Sequence, residues 1–258
     1  MAAGAHIAGR SPTSTESGTE TDAQERAIES SQRSYARLAG LMYLVVLVLD
    51  IVGLLIASTI AGSGSFVEVS HRILANETLY RVGLSIALAG GVATIVLALS
   101  LYVTLKRVDG NLAMMALLFR VAETAIGAVG IVVAFSVLQI QLAANHANAF
   151  GADQLDALAS FSPTGIQVSA IFFCVGSTIF FYLFLKSNYI PRMLSAWGIF
   201  ASLVYLAVWF TDLILPNHSG LVTILGSLPI LIAEVGTALW LLIAGIRPAT
   251  PSRSQKWN

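Results

Sequence analysis

Four ionisable residues stand inside long apolar stretches of this chain: Asp50, Arg120, Glu123 and Glu234. Arg120 and Glu123 are three apart, so a helix would carry both on one face. Arginine stays charged in a protein interior and needs a carboxylate beside it. One acid neutralises it, which leaves Asp50 and Glu234 in excess. An excess acid in low dielectric takes up a proton or holds a cation. These residue types therefore point to the binding or movement of a small solute, proton or cation. The alternative is a structural charge network in a non-catalytic membrane regulator or assembly partner. Pro229, just before Glu234, would free a backbone carbonyl and kink its helix. Interrupted helices beside a buried acid mark ion and substrate sites in transporters. Asp212, followed by Pro216, Asn217 and His218, is the candidate for an outer vestibule.

The elements that must position these residues are membrane spans. The chain has 258 residues, 56% of them hydrophobic and 11% charged, with a mean hydropathy of +0.79. Soluble domains carry about 25% charged residues. About twenty apolar residues in a helix cross a hydrocarbon core of roughly 30 Å. Six stretches qualify, near 38–60, 82–105, 112–141, 165–185, 193–215 and 221–246. Lipid offers the backbone no hydrogen bonds, and the alternating ten-residue pattern of a barrel is absent, so the spans should be helices. The fold class is all-α, a polytopic bundle of six transmembrane helices. Counted along the spans, the four buried charges fall within about 6 Å of one depth. Small residues recur on the second and third spans, among them Gly83, Gly90, Gly91, Gly127 and Gly130. Such stripes let helix backbones approach closely.

The formal net charge is zero, but its distribution is uneven. Arg33, Arg37, Lys106, Arg107, Lys186, Arg192 and Arg247 fall on one side with the other tail cations, and only Arg72 and Arg81 on the other. The positive-inside rule then puts both termini in the cytoplasm. Residues 1–34 read as a disordered cytoplasmic tail in which Gln24 to Tyr35 could form a short helix. Residues 35–247 form the transmembrane domain and 248–258 a cytoplasmic C-terminal tail. No apolar signal-type region precedes Leu38. Loops 61–81 and 142–164 lie on the outer side, the second with a short amphipathic segment around Asp153 and Asp156. The lipid bilayer is the expected partner, with a small solute or cation, and no nucleic acid.

Cys174 is the single cysteine and reads as a small buried hydrophobe, so neither a disulfide within the chain nor a thiolate cluster arises. His71, His146 and His218 share the outer side with Glu68, but no pair has zinc-motif spacing. No phosphate-binding loop, nucleophile elbow or HExxH is present, and the balance is against an enzyme. No cofactor is expected.

Several segments resemble the bacterial membrane proteins grouped as domain-of-unknown-function family 4386. They are Arg37–Leu44 in the first span, Leu117–Glu123 in the third, the run from Phe172-Phe173 through Lys186–Gly198, and Glu234 with Leu239–Ile243 and Gly245. The resemblance covers about residues 35–247. It implies a six-helix protein of the bacterial inner membrane and supplies no activity.

Overall fold

The computed structural model describes residues 14–61, 66–147, 164–215 and 220–246, with side chains over 29–56, 58–60, 68–143, 168–215 and 226–246. All described secondary structure is helical. In chain order the elements are α1 (Ser14–Ala61), α2 (Phe66–Ala75), α3 (Glu77–Leu105), α4 (Gly110–Ala147), α5 (Thr164–Ser187), α6 (Arg192–Ile214) and α7 (Gly220–Ile243). Six of them contain segments long and apolar enough to cross a membrane: Glu29–Ile60, Glu77–Leu105, Gly110–Ala143, Val168–Ser187, Arg192–Ile214 and Gly226–Ile243. This is a multi-pass membrane protein of the expected all-α class.

The six long helices form a ring. Each packs on its neighbour in the order α1, α3, α4, α5, α6, α7, and α7 packs back on α1. Perimeter positions such as Val92, Val129, Val132 and Ile232 are exposed, as apolar side chains facing lipid are. The long connections make the ring: α1 reaches α3 past the short α2, and tight turns at residues 106–109 and 188–191 join α3 to α4 and α5 to α6. Asn188 takes a left-handed conformation (φ 57°) that reverses the chain between α5 and α6.

The core is not spread evenly along the ring axis. Its buried cluster includes Ala36, Ala39 and Tyr43 of α1, Leu97, Leu101 and Leu105 of α3, Ala113 and Ala116 of α4, and Phe180, Phe181 and Phe184 of α5. Ala201 of α6 and Ala238 and Leu241 of α7 belong to it as well. All lie toward the end that carries the two tight turns, here the closed end. The opposite end carries α2.

Close backbone approach seals the closed end. A Cβ on Gly40 would stand 2.7 Å from both the Ala238 carbonyl oxygen and the Leu242 nitrogen of α7. A Cβ on Gly198 would run into the Phe181 ring. Polar ties add to this. Gln32 Nε2–H donates to the Thr104 carbonyl (2.6 Å) and to the Tyr189 hydroxyl (3.1 Å). Asp109 accepts from the Leu112 N–H at 3.1 Å, capping α4, and pairs with Lys186 at 3.3 Å.

Three expectations change. The helix α1 runs unbroken from Ser14, so the segment read as a disordered tail is helical from there, and Gln32 belongs to the membrane domain's packing. The hydrogen bonds of Gln32 outweigh the polar composition that suggested solvent. Within 61–81, read as a loop, α2 forms and packs on α1, α3 and α4. Its Ser70 is buried, and Arg72 donates to the Ile60 carbonyl at 3.1 Å. In the 142–164 loop, α4 continues to Ala147; the segment around Asp153 and Asp156 lies outside the described residues, as do 1–13 and 248–258.

Candidate polar site at the ring centre

Arg120 sits on the ring-facing side of α4. Its side chain is 4% exposed. Gly176 of α5 makes this position available: a Cβ there would come 3.2 Å from Arg120 Cδ and 3.3 Å from the Ala116 carbonyl. The guanidinium lies over the Phe173 ring, 4.7 Å from its centroid, a cation–π contact across α4 and α5. Arg120 Nη1 and Glu123 Oε2 are 3.0 Å apart, as the i, i+3 spacing requires. The two atoms meet as charges without an aligned hydrogen bond, and neither has another hydrogen-bond partner. Removing one member of a buried pair leaves the other charge uncompensated, at about 3–5 kcal/mol.

The other two acids come into the same field. Arg120 acts electrostatically on Asp50, Glu123 and Glu234, and Glu234 interacts with both other carboxyls. Neither Asp50 nor Glu234 forms an ion pair within 4 Å among the described residues; the one ion pair of the cluster is Arg120–Glu123. Tyr43 of α1 is acted on electrostatically by Glu234, Arg120 and Glu123. Cys174 is buried on α5 nearby.

The depths differ more than the sequence suggested. Asp50 faces Gly90, and Gly91 faces Thr124, one turn from Arg120. Gly40 faces Ala238, which places Glu234 opposite about Tyr43. Asp50 therefore lies about two turns, roughly 10 Å, further toward the α2 end than Glu234. The cluster is a staggered line rather than a flat layer. Pro229 lies inside α7, and its carbonyl accepts from Trp197 Nε1–H at 3.0 Å. The helix runs through Pro229 without a break and is tied there to α6, little more than a turn from Glu234.

From the cluster toward the α2 end the described side chains of α1 and α4 are less buried. The α1 face that is buried at Ala36, Ala39 and Tyr43 is exposed at Asp50. The α4 face that is sealed at Ala113, Ala116 and Arg120 is only half-buried from Glu123 to Ala134. A Cβ on Gly53, Gly127 or Gly130 would meet no described atom within 4 Å. The same α4 face is buried again at Leu138 and Gln141. Gln141 is 3% exposed, and neither amide atom has a hydrogen-bond partner. Such an unmade pairing costs about 1–3 kcal/mol for each group.

Asp212 lies two residues from the end of α6, half-buried, at the mouth of the open half and away from Arg120. Composition and spacing did not single out Gln141 or the aromatic wall made by Phe173, Tyr205 and Trp209. Phe173 and Tyr205 meet edge-on with centroids 6.1 Å apart, and Tyr205 and Trp209 at 5.6 Å. The available signal for Gln141 was its spacing: eighteen residues from Glu123 is five turns, hence the same face. Among the described residues no group of three or more His, Cys, Asp and Glu is placed to hold a metal ion. His218 lies outside them, as does the side chain of His146.

The family described as a domain of unknown function, DUF4386, matches residues 38–245, from within the first span to just past the end of the last. The chain belongs to the DUF4386 family. No curated protein and no solved structure matches it. The matched region of this DUF4386 chain takes in Asp50, Arg120, Glu123 and Glu234 and most of the closed-end core.

Proposed function

We propose that this DUF4386 protein binds, and moves, a proton-linked small solute or cation through the open half of the ring, with Glu234, Asp50 and Glu123 as the acidic groups. The observation that carries the reading is the charge count at the ring centre. Three carboxyls share the field of one guanidinium, and one alone is paired with it. The remainder need a proton or a cation to stand at that depth. A Cβ on Gly127 or Gly130 would meet no described atom within 4 Å, which supports room beside them. The reading includes placement in a bacterial inner membrane with the closed end cytoplasmic. Lys106, Arg107, Lys186 and Arg192 at that end support this, against Arg72 and Arg81 at the other.

The structural reading has its own support in the Arg120–Glu123 pair, which is packed under Phe173 and against Gly176. The two readings divide the cluster. Arg120 and Glu123 hold the bundle together; Asp50 and Glu234 carry the ligand or proton.

Thermal unfolding of the purified protein against pH, with and without a panel of monovalent and divalent cations, tests the division. The wild type should show a pH- or cation-dependent shift that is lost in Glu234→Gln or Asp50→Asn while those variants remain folded. Flat profiles in the wild type, with Glu123→Gln alone destabilised, would leave only the structural network.

A further inference from the structure

Independently of the proposed solute site, we propose that the α5–α6 corner at the closed end binds an anionic phospholipid, its phosphate at Arg192 and Lys186 and an acyl chain along the outer face of α6. The charge at this end sets the class of partner. Arg33, Arg37, Lys106, Arg107, Lys186 and Arg192 are all exposed there. Among the described side chains at that end the only carboxylates are Glu29 and Asp109, so six cations face two acids, an excess of four. The cations stand at or beside the ends of the spans Glu77–Leu105, Val168–Ser187 and Arg192–Ile214, which is the level of lipid headgroups. Basic side chains at that level attract anionic lipid. An acidic protein in the aqueous phase would meet the cations but not the apolar face that adjoins two of them.

That face is what singles out Arg192 and Lys186. Arg192 Nε–H donates to the Asn188 side-chain oxygen at 2.5 Å, which steadies the guanidinium and leaves its terminal N–H groups for a phosphate. Lys186 Nζ is 3.3 Å from Asp109 Oδ2, one contact for an ammonium that carries three donors. Directly below Arg192, Met193, Trp197 and Phe200 follow at i, i+4 and i+7, on one face of α6. All three are exposed, Met193 at 84%. Trp197 is held in place: its indole N–H donates to the Pro229 carbonyl, and its ring lies 5.7 Å from that of Phe200. Phe181 packs against Gly198, so Tyr182 of α5, also exposed, stands at about the level of Trp197. Trp and Tyr favour this depth, where one end of the ring is apolar and the other wet. At the other tight turn Lys106 lies over the Tyr102 ring instead, 5.9 Å from its centroid. A lipid seated at the α5–α6 corner spans the seam that Phe181 and Gly198 close, so its binding stabilises the closed end.

The experiment uses the full chain, stripped of lipid, in detergent micelles. Phosphatidylglycerol, phosphatidylcholine with the same acyl chains, and soluble glycerol phosphate are titrated. Native mass spectrometry counts what is bound, and melting is followed in parallel. Phosphatidylglycerol should bind at least tenfold more tightly than phosphatidylcholine and raise the melting temperature, and glycerol phosphate should do neither. Lys186→Gln with Arg192→Gln should weaken phosphatidylglycerol about tenfold or more. Lys106→Gln with Arg107→Gln, the same change of charge at the other turn, should leave most of the binding. Met193→Ser with Phe200→Ser should weaken both lipids alike, through the acyl chain. Melting in detergent alone shows whether each variant is folded, and Arg192→Lys, which keeps the charge but not the Asn188 tie, should fall between wild type and the double variant. Equal binding of the two lipids would overturn the proposal. Equal losses from the two cation pairs would do the same, since the attraction would then belong to the whole belt. Glycerol phosphate binding as tightly as the lipid would mean a free-phosphate site and would also overturn it. Glu234→Gln should bind lipid as wild type does, which keeps this outcome separate from that of the proposed solute site.

Discussion

The two halves of the ring use the same helices to opposite ends. On α1, one face is sealed at Ala36, Ala39 and Tyr43 and exposed at Asp50. On α4, one face is sealed at Ala113 and Ala116 and half-open at Gly127 and Gly130. Glycines show the contrast most directly. At the closed end Gly40 and Gly198 allow contacts that a single methyl group would destroy; toward the other end a Cβ on Gly53, Gly127 or Gly130 would meet no described atom within 4 Å. A stripe of small residues is therefore not one signal. In lipid, helix association depends on close packing and polar contacts rather than on a hydrophobic drive. The closed end satisfies that requirement, and the open half is free to hold a polar interior.

This contrast can be broken at its boundary. Arg120→Gln leaves Glu123 buried without its charge partner and should cost about 3–5 kcal/mol, read as a large fall in melting temperature. The double replacement Arg120→Leu with Glu123→Leu should recover much of that loss. If the single change were harmless, Arg120 would not be the point where sealing ends.

The glycines sharpen the comparison as a matched pair. Gly40→Ala drives a methyl into the α7 backbone and should destabilise by about 1–3 kcal/mol. Gly127→Ala places the same methyl in open space and should be neutral or stabilise by up to about 1 kcal/mol through helix propensity. Equal effects at the two positions would erase the distinction between the halves.

Gln32 tests how far the closed end extends beyond the spans. Its replacement by alanine strands the Tyr189 hydroxyl and the Thr104 carbonyl, at about 1–2 kcal/mol. Truncation before Ser30 should leave this tie intact, while truncation through Gln32 should match the point substitution in a chemical-denaturation series.

The smallest effect is expected at Asp109, in the exposed turn between α3 and α4. The Leu112 N–H, followed by the Lys186 ammonium, holds its carboxyl below the ordinary value of 3.8. A group whose folded value is depressed stabilises the fold above its unfolded value and loses that contribution as pH falls through the folded one. Melting temperature should therefore drop slightly below about pH 4, and the difference between wild type and Asp109→Asn should vanish there. A difference that persists at low pH would mean the cap acts without its charge.

Six apolar runs of span length, a polar head and the i, i+3 placement of Arg120 and Glu123 were legible in the sequence because each is a local property. Hydropathy reads burial in lipid, and helical spacing fixes which neighbours share a face. Apart from the start of the first span, which moved from 38 to Glu29, the span limits moved by no more than about five residues for the same reason. The start of the packed region did not read out, because the polar composition before Tyr35 conceals that Gln32 has partners in two distant turns. Nor did α2, whose ten residues are too few to cross lipid and gain their burial from α1 and α4.

The sequence by itself determined that this is a six-span helical membrane protein with three acids and one arginine inside it. That much follows from the cost of charge in lipid and from the length of each run. Only the tertiary structure decided that the helices close into a ring, that Asp50 and Glu234 share the field of Arg120 while Glu123 takes its ion pair, and that one half is packed and the other open. Those facts depend on which helix faces which. That pairing is set by contacts such as Gly40 on Ala238 and Gly176 on Arg120, between residues far apart along the chain, and no local pattern encodes it.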